Sequence, residues 1–217
     1  MPGRAAAGIV VGLEAEARLA RRWGLPVTVG GGGSAGAATA AAAMAPQVLA
    51  LVSFGLAGGL DPALRPGDLI VPSTIVDGHE TWSTDPALNA ALGGCTGHVL
   101  RGGGAVLATV AAKQAAWGGG AHAVDLESAA VARAATRHGL PFAALRAVCD
   151  AAGHALPHAA LVALDGAGRI GILRIGAAVL AHPFELPALI GLGRDAARAR
   201  RALLGRIRSA PGLNPVP

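Results

Sequence analysis

The chain carries, at residues 123–150, the stretch AVDLESAAVARAATRHGLPFAALRAVCD, in which two apolar runs flank an alanine-rich segment. The apolar runs predict strands at Ala121–Val124 and Phe142–Val148. The segment between them predicts a helix over Glu127–His138, because a glycine and a proline follow it as typical helix-ending residues. A strand–helix–strand unit of this kind is typical of α/β proteins.

The same alternation continues towards both ends of the chain. Further strands are predicted at Gly8–Leu13, Pro26–Val29, Gln47–Phe54 and Leu69–Val76, and further helices after the first strand and at Ala35–Ala45. Residues 83–120 are interrupted by glycines and yield no assigned element. The pattern predicts an α/β protein, and a length of 217 residues suits one domain with a sizeable core.

Charge is distributed unevenly along the chain. The formal net charge is +5, yet residues 1–185 hold 12 basic and 12 acidic residues and are neutral. The excess lies in residues 186–217, where six arginines accompany one aspartate. Of the 18 basic residues only Lys113 is a lysine. The neutral body argues against a broad nucleic-acid-binding face, and a charged share of only 14% excludes a charge-rich, disordered chain.

Cysteine and histidine usage bears on compartment and metal binding. Two cysteines, Cys95 and Cys149, are too few for a disulfide framework and predict a reducing, cytoplasmic compartment. Glutamates follow the first apolar run at once, which predicts a strand rather than a signal peptide. His154 and His158 lack metal-ligand spacing with other donors, so no metal is predicted.

Acidic side chains follow three of the predicted strands. Glu14 and Glu16 follow the first strand, Asp125 and Glu127 follow the short strand near residue 124, and Asp150 follows the last. In open α/β sheets, ligands bind beyond the carboxyl ends of strands. Converging carboxylates predict a site for a polar, hydroxylated substrate and metal-free acid–base chemistry. From spacing alone, the alternative is that these acids only cap the helices that follow.

Three segments, GIVVGLEAEA, SFGLAGGLDPALRPGDLIVP and AVDLESAAVARAATRHGLPFAALRAVCDAA, resemble the nucleoside phosphorylase/nucleosidase superfamily, and most closely its 5′-methylthioadenosine/S-adenosylhomocysteine nucleosidases. Three others, WSTDPALNAAL, HALPHAALVAL and HPFELPALIGLGRDAARARRALL, are similar to a hopanoid-associated branch that is linked to release of adenine from adenosylhopane. The resemblance implies a three-layer α/β/α fold with a mixed central sheet and N-glycosidic cleavage of a 5′-substituted adenosine without a cofactor. It also implies a homo-oligomer, with a dimer favoured.

The resemblance further implies a role for each matching residue. Asp150 would donate a proton to N7 of the purine, so that adenine leaves as a neutral base. Glu127 would hold the ribose 2′- and 3′-hydroxyls, and Glu16 would activate the attacking water. The other substrate-binding positions are Ala57 and Gly58, in a glycine-rich loop predicted at residues 55–59, together with Leu126 and Cys149.

Several alternatives stay open. Glu14, and not Glu16, would activate the water if the match of GLEAEA to the family motif is shifted by one helical turn. Phosphate would be the co-substrate if the enzyme were a phosphorylase. The segments GLEAEA and SFGLAGG contain no arginine, however, and a glutamate in the first of them repels phosphate, so water is the favoured nucleophile. A glycine-rich loop at Gly30–Gly33 could still cradle an anion. The alternative from another class is a basic, non-catalytic nucleic-acid-binding module.

Two neighbouring residues have expected structural roles. Cys149 is expected to pack rather than act as a nucleophile, because an adjacent acid raises the pKa of a thiol. Arg146 is expected to pair with a carboxylate. The aromatic residue that stacks on the purine in the resembling family has no identified counterpart within residues 105–120.

The C-terminal part predicts two helices. Ile170–Leu180 is predicted to be an apolar helix, and Pro187–Arg208 an amphipathic one with Arg194, Arg198, Arg201 and Arg208 on one side. We treat residues 1–185 as the catalytic domain and residues 186–217 as a basic helix. That helix either packs on the core or a partner subunit, or contacts anionic lipid at the inner membrane face, where a lipid nucleoside substrate would lie.

Overall fold

The structure is a computed structural model that describes residues 4–161, 183–209 and Leu213. The described strands are Gly8–Val11 (β1), Val27–Val29 (β2), Leu51–Gly59 (β3), Leu69–Ile70 (β4), Thr74–Asp77 (β5), Glu80–Ser83 (β6), Val99–Arg101 (β7), Ala123–Val124 (β8) and Phe142–Asp150 (β9). The described α-helices are Glu14–Ala20 (α1), Ser34–Met44 (α2), Pro86–Ala91 (α3), Val110–Gly118 (α4), Ser128–Arg137 (α5), His158–Leu161 (α6) and Leu186–Ser209 (α7). The helix predicted at Ile170–Leu180 lies outside the described residues.

These strands form one mixed sheet in the order β2-β1-β3-β8-β7-β5-β6, with β9 paired to β3 and β4. Helices cover both faces of the sheet. Val10 of β1 packs with α2 and α5, whereas its neighbours Ile9 and Val11 pack with α1 and α7. Such alternation is expected of a strand that is buried on both faces. The predicted three-layer α/β/α fold with a mixed central sheet is therefore confirmed.

Two strands end facing each other along one edge of β3. β1 runs parallel to β3 and ends at Val11, opposite Phe54. β8 runs antiparallel to β3 and ends at Val124, opposite Gly58. The β3 residues between Phe54 and Gly58 are therefore flanked on that edge by neither strand. The chain leaving β1 and the chain leaving β8 both carry acidic residues into this gap.

The prediction of a glycine-rich loop at residues 55–59 is wrong. The strand predicted at Gln47–Phe54 begins at Leu51 and continues through these residues to Gly59. They stay extended because β9 pairs with them as far as Gly58, which lies opposite Asp150. Backbone pairing thus overrides the low strand propensity of glycine.

Other elements differ from the prediction between residues 69 and 120. The strand predicted at Leu69–Val76 is two strands, β4 and β5, which pair with different neighbours on either side of Pro72. Proline lacks the N–H that a continuous ladder needs. The unassigned residues 83–120 contain α3, β7 and α4, and Asp85 and Thr109 cap the two helices by accepting backbone N–H groups.

Helix α7 packs against the sheet. Its apolar side contributes Ala199, Leu203 and Ile207 to a buried cluster shared with β1 and β9. Its exposed side carries Arg194, Arg198, Arg201 and Arg208. Packing on the core thus accounts for the apolar side, while contact of the arginine side with a membrane or partner stays a prediction, as does the domain boundary after residue 185. No described helix is long and apolar enough to cross a membrane.

Candidate active site

A pocket of about 230 Å³ opens at the gap between β1 and β8. All the residues that the sequence predicts for the site line it: Glu16, Ala57, Gly58, Leu126, Glu127, Cys149 and Asp150. The rest of its described lining consists of Leu13, Gly32, Leu56, Val106, Leu107, Lys113, Val124, Asp125 and Leu156. Carboxylates from three strand ends therefore meet in one largely aliphatic pocket.

Glu16 is buried in the first turn of α1. Its Oε2 accepts hydrogen bonds from the backbone N–H groups of Gly12 (3.1 Å) and Leu13 (2.9 Å). Its Oε1 accepts a hydrogen bond from the N–H of Leu56 (2.9 Å) on β3. Burial raises the pKa of Glu16, although nearby Arg146 and the three N–H groups oppose the shift. A raised pKa makes the carboxylate a stronger base towards water.

The alternative acid, Glu14, lies outside the pocket. Its carboxylate is paired with Arg21 at 2.7 Å, and both side chains are exposed. Residues two apart on a helix point in different directions, so only one of the two glutamates can enter the gap. The structure brings Glu16, and not Glu14, to the other predicted residues.

Arg146 reaches the gap from the far side of β3. It lies on β9 opposite Gly55, and a methyl group at Gly55 would be 2.6 Å from its Nη1. The glycine therefore lets the guanidinium cross the strand. Beyond it, Arg146 Nε lies 2.6 Å from Asp125 Oδ2, and Nη2 lies 3.5 Å from Glu127 Oε2. Arg146 is thus a buried partner of carboxylates, as its expected role requires.

Asp125 fixes the position of Glu127. Its Oδ1 accepts hydrogen bonds from the N–H groups of Glu127 (3.1 Å) and Ser128 (2.9 Å) at the start of α5. Burial raises the pKa of Glu127 to about 8, a shift that Arg146 opposes and that Asp125 and Glu16 reinforce. Burial therefore favours the neutral form of Glu127 to a higher pH than that of an ordinary carboxyl group. Once ionised, this carboxylate can accept hydrogen bonds from two vicinal hydroxyls.

Asp150 ends β9 opposite Gly58, where a methyl group would lie 3.1 Å from its Oδ1. Lys113 of α4 donates a hydrogen bond from Nζ to Asp150 Oδ2. The same ammonium donates to the carbonyl oxygens of Ala151 (3.0 Å) and His154 (2.9 Å). The Lys113 ammonium therefore has an acceptor for each of its three protons. One of these acceptors is Asp150, the residue predicted to protonate N7 of the purine.

Cys149 and Leu126 have supporting positions. The Cys149 thiol donates to Asp150 Oδ1 at 3.4 Å, and burial together with the Asp150 charge raises its pKa well above the usual range. A thiol in that state is a poor nucleophile. The carbonyl of Leu126 accepts a hydrogen bond from Ser34 Oγ (2.7 Å) at the start of α2, which ties the segment before Glu127 to a second helix.

Lys113 is a site residue that the sequence does not predict, and the aromatic residue expected to stack on the purine is not among the described lining residues. Lys113 lies in the stretch that yields no assigned element, and its one signal is that it is the only lysine in the chain. From residues 105–120, Val106 and Leu107 also line the pocket, and no described lining residue is aromatic. Trp117 packs instead against the ring of His122, with centroids 5.2 Å apart. In the described part of the chain, no three histidine, cysteine or acidic residues are grouped to hold a metal.

Solved structures of nucleosidases and of a futalosine hydrolase have this fold. A mutant of the Helicobacter pylori 5′-methylthioadenosine/S-adenosylhomocysteine nucleosidase with 5′-methylthioadenosine in its active site has a TM-score of 0.65 at 17% identity, covering 96% of this chain and 99% of its own. The Colwellia psychrerythraea enzyme in complex with adenine has a TM-score of 0.63 at 22% identity, covering 94% and 95%. Futalosine hydrolase of Helicobacter pylori has a TM-score of 0.61 at 18% identity, covering 68% and 88%. A comparison with curated protein sequences gave no match.

Family membership follows from the sequence itself. Residues 24–178 match the model of the phosphorylase superfamily. The chain therefore belongs to the phosphorylase superfamily and is an enzyme of the nucleosidase or phosphorylase type. This membership decides against a non-catalytic nucleic-acid-binding module.

Proposed function

We propose that the protein hydrolyses the N-glycosidic bond of a 5′-substituted adenosine and releases adenine. The observation that carries this proposal is the use of three backbone N–H groups by the Glu16 carboxylate. Phosphorylases use backbone N–H groups and arginines to hold phosphate. Here the N–H groups already bind a carboxylate, whose charge repels phosphate. The one cation among the described lining residues, Lys113, is held by Asp150.

Each carboxylate has a task in this reaction. Glu16 takes a proton from the attacking water. Ionised Glu127 accepts hydrogen bonds from the ribose 2′- and 3′-hydroxyls, and its charge stabilises the oxocarbenium-like state that develops at C1′. Asp150 gives a proton to N7, so that the electron pair of the breaking bond enters a neutral base.

For the 5′ substituent we propose an apolar group, and as the particular substrate adenosylhopane, which would give ribosylhopane in hopanoid side-chain biosynthesis. The support is the similarity of three segments to the hopanoid-associated branch, together with the aliphatic lining of the pocket. That lining includes Leu13, Leu56, Val106, Leu107, Leu126 and Leu156. An aliphatic surface gains about 25 cal/mol for each Å² of apolar substrate that it removes from water.

A panel of 5′-substituted adenosines tests the proposal, with released adenine measured by chromatography. The panel runs from adenosine through 5′-methylthioadenosine to long 5′-alkyl derivatives and adenosylhopane. We expect kcat/KM to rise with the apolar size of the substituent, and Asp150→Asn to abolish release while the protein stays folded by circular dichroism. Release of adenine by Asp150→Asn at the wild-type rate, or no release from any member of the panel, would overturn the proposal.

A further inference from the structure

Lys113 is a fully buried cation in contact with Asp150. Its side chain is 1% exposed, and its ammonium, carried by helix α4, contacts the Asp150 carboxylate in the pocket lining. An ionised Asp150 by itself has no proton to give to N7. The Lys113–Asp150 pair, in contrast, holds one transferable proton on the lysine.

The choice of lysine at this position has a chemical consequence. Every other basic residue in the chain, 17 of 18, is an arginine. A guanidinium stays protonated in proteins, whereas a buried lysine ammonium can release a proton and remain as a neutral amine. An arginine here would neutralise Asp150 equally well but would retain its proton. The position therefore carries the one lysine of the chain, a side chain that can release a proton where an arginine cannot.

We propose that Lys113 supplies Asp150 with the proton that Asp150 delivers to the departing adenine, an inference that rests on the proposed function. A proton passes from Lys113 Nζ to the Asp150 carboxyl group and from there to N7, while the electron pair of the C1′–N9 bond enters the purine. The oxygen of water forms the new bond to C1′, and its proton goes to Glu16. Glu16 returns that proton to solvent and Lys113 regains one, so the sum is water plus nucleoside giving adenine plus free sugar.

The other titratable groups that face this pair are acids and a histidine. Cys149 of β9 donates to Asp150, and Glu16 of α1 contributes charge at the same place. Across a neighbouring cavity of about 370 Å³ that Asp150 also lines, His154 and Asp195 are the titratable residues. Without Lys113, Asp150 would face chiefly negative or neutral groups, and none of them offers a fixed ammonium.

The test compares Lys113→Arg, Lys113→Met and Lys113→Ala by adenine release from 5′-methylthioadenosine. We expect kcat to fall by about 100-fold or more in all three variants while KM changes little, because the missing step is acid catalysis. Ethylamine should restore activity to Lys113→Ala, and the restored rate should follow the protonated amine as pH changes.

A substrate whose leaving group needs no protonation distinguishes proton supply by Lys113 from a purely structural role of this residue. With p-nitrophenyl β-D-ribofuranoside, whose leaving group departs as an anion, the Lys113 variants should retain most of the wild-type rate. Lys113→Arg with full activity on 5′-methylthioadenosine would overturn the inference and leave the proposed function intact. Equal losses on both substrates, without rescue by amine, would also overturn it and show that Lys113 only supports the fold. If the wild-type protein releases no adenine from any member of the 5′-substituted adenosine panel, the proposed function fails, and this inference falls with it.

Discussion

Replacing Gly12 by alanine is expected to displace Glu127 without disturbing the fold. The new methyl group would lie 2.6 Å from Glu127 Oε1, whereas carbon and oxygen normally approach no closer than about 3.3 Å. The carboxylate must therefore retreat by about 0.7 Å. Because the displaced atom is the end of a side chain, we expect the free energy of unfolding to change by less than about 1 kcal/mol. A displacement of this size at a substrate-binding group lowers kcat/KM by about 10- to 100-fold.

Adenine release from 5′-methylthioadenosine, measured beside urea unfolding, checks this prediction. Gly118→Ala is the matched control, since a methyl group there meets nothing within 4 Å and the site lies within α4. We expect it to retain full activity and to gain up to about 1 kcal/mol from helix propensity. A wild-type kcat/KM in Gly12→Ala would refute the placement of Glu127 against the ribose. Loss of folding in this variant would show instead that the Glu127 carboxylate cannot move away from the new methyl group.

Four further predictions follow from the charges and contacts of the site. The free energy of unfolding should fall as pH rises from about 4.5 to about 8, because folded Glu127 keeps a proton that the unfolded chain has lost, and Glu127→Gln should flatten this profile. Over the same pH range kcat/KM should rise, because a growing fraction of Glu127 is ionised and can bind the ribose hydroxyls. Glu16→Gln should lower kcat by about 100-fold or more in the same adenine assay, because the base towards water is lost. Gly55→Ala should cost about 3 kcal/mol in urea unfolding, since its methyl group would lie 2.6 Å from both Arg146 Nη1 and Glu16 Oε1. Iodoacetamide at neutral pH should label exposed Cys95 and leave Cys149 unmodified until the protein is unfolded, as peptide mass spectrometry can determine.

The sequence anticipates the fold and most of the pocket because both depend on local patterns. Apolar runs followed by acids mark β1, β8 and β9, and their ends bring Glu16, Glu127 and Asp150 together. The sequence does not reveal why they meet. That depends on β8 running antiparallel to β3 so that its end faces the end of β1, and pairing direction is set by contacts distant in sequence.

Two features of the site depend on such distant contacts. Gly55 appears as part of a loop from its neighbours, yet β9 keeps it in a strand and the Arg146 guanidinium crosses above it. Lys113 lies 37 residues before Asp150, in a stretch whose glycines obscure helix α4, so nothing local connects the two residues. Its rarity in a chain that otherwise uses arginine is the one signal in the sequence that could have directed attention to it.

Product analysis of a reaction run in saturating phosphate tests hydrolysis at this pocket most directly. The wild-type protein is given 5′-methylthioadenosine with and without phosphate, adenine is measured by chromatography, and sugar phosphates are sought by ³¹P NMR. We predict equal rates of adenine release in both conditions and no new phosphate ester. Adenine release that requires phosphate, together with a sugar 1-phosphate signal, would contradict the assignment of Glu16 as the base that activates water.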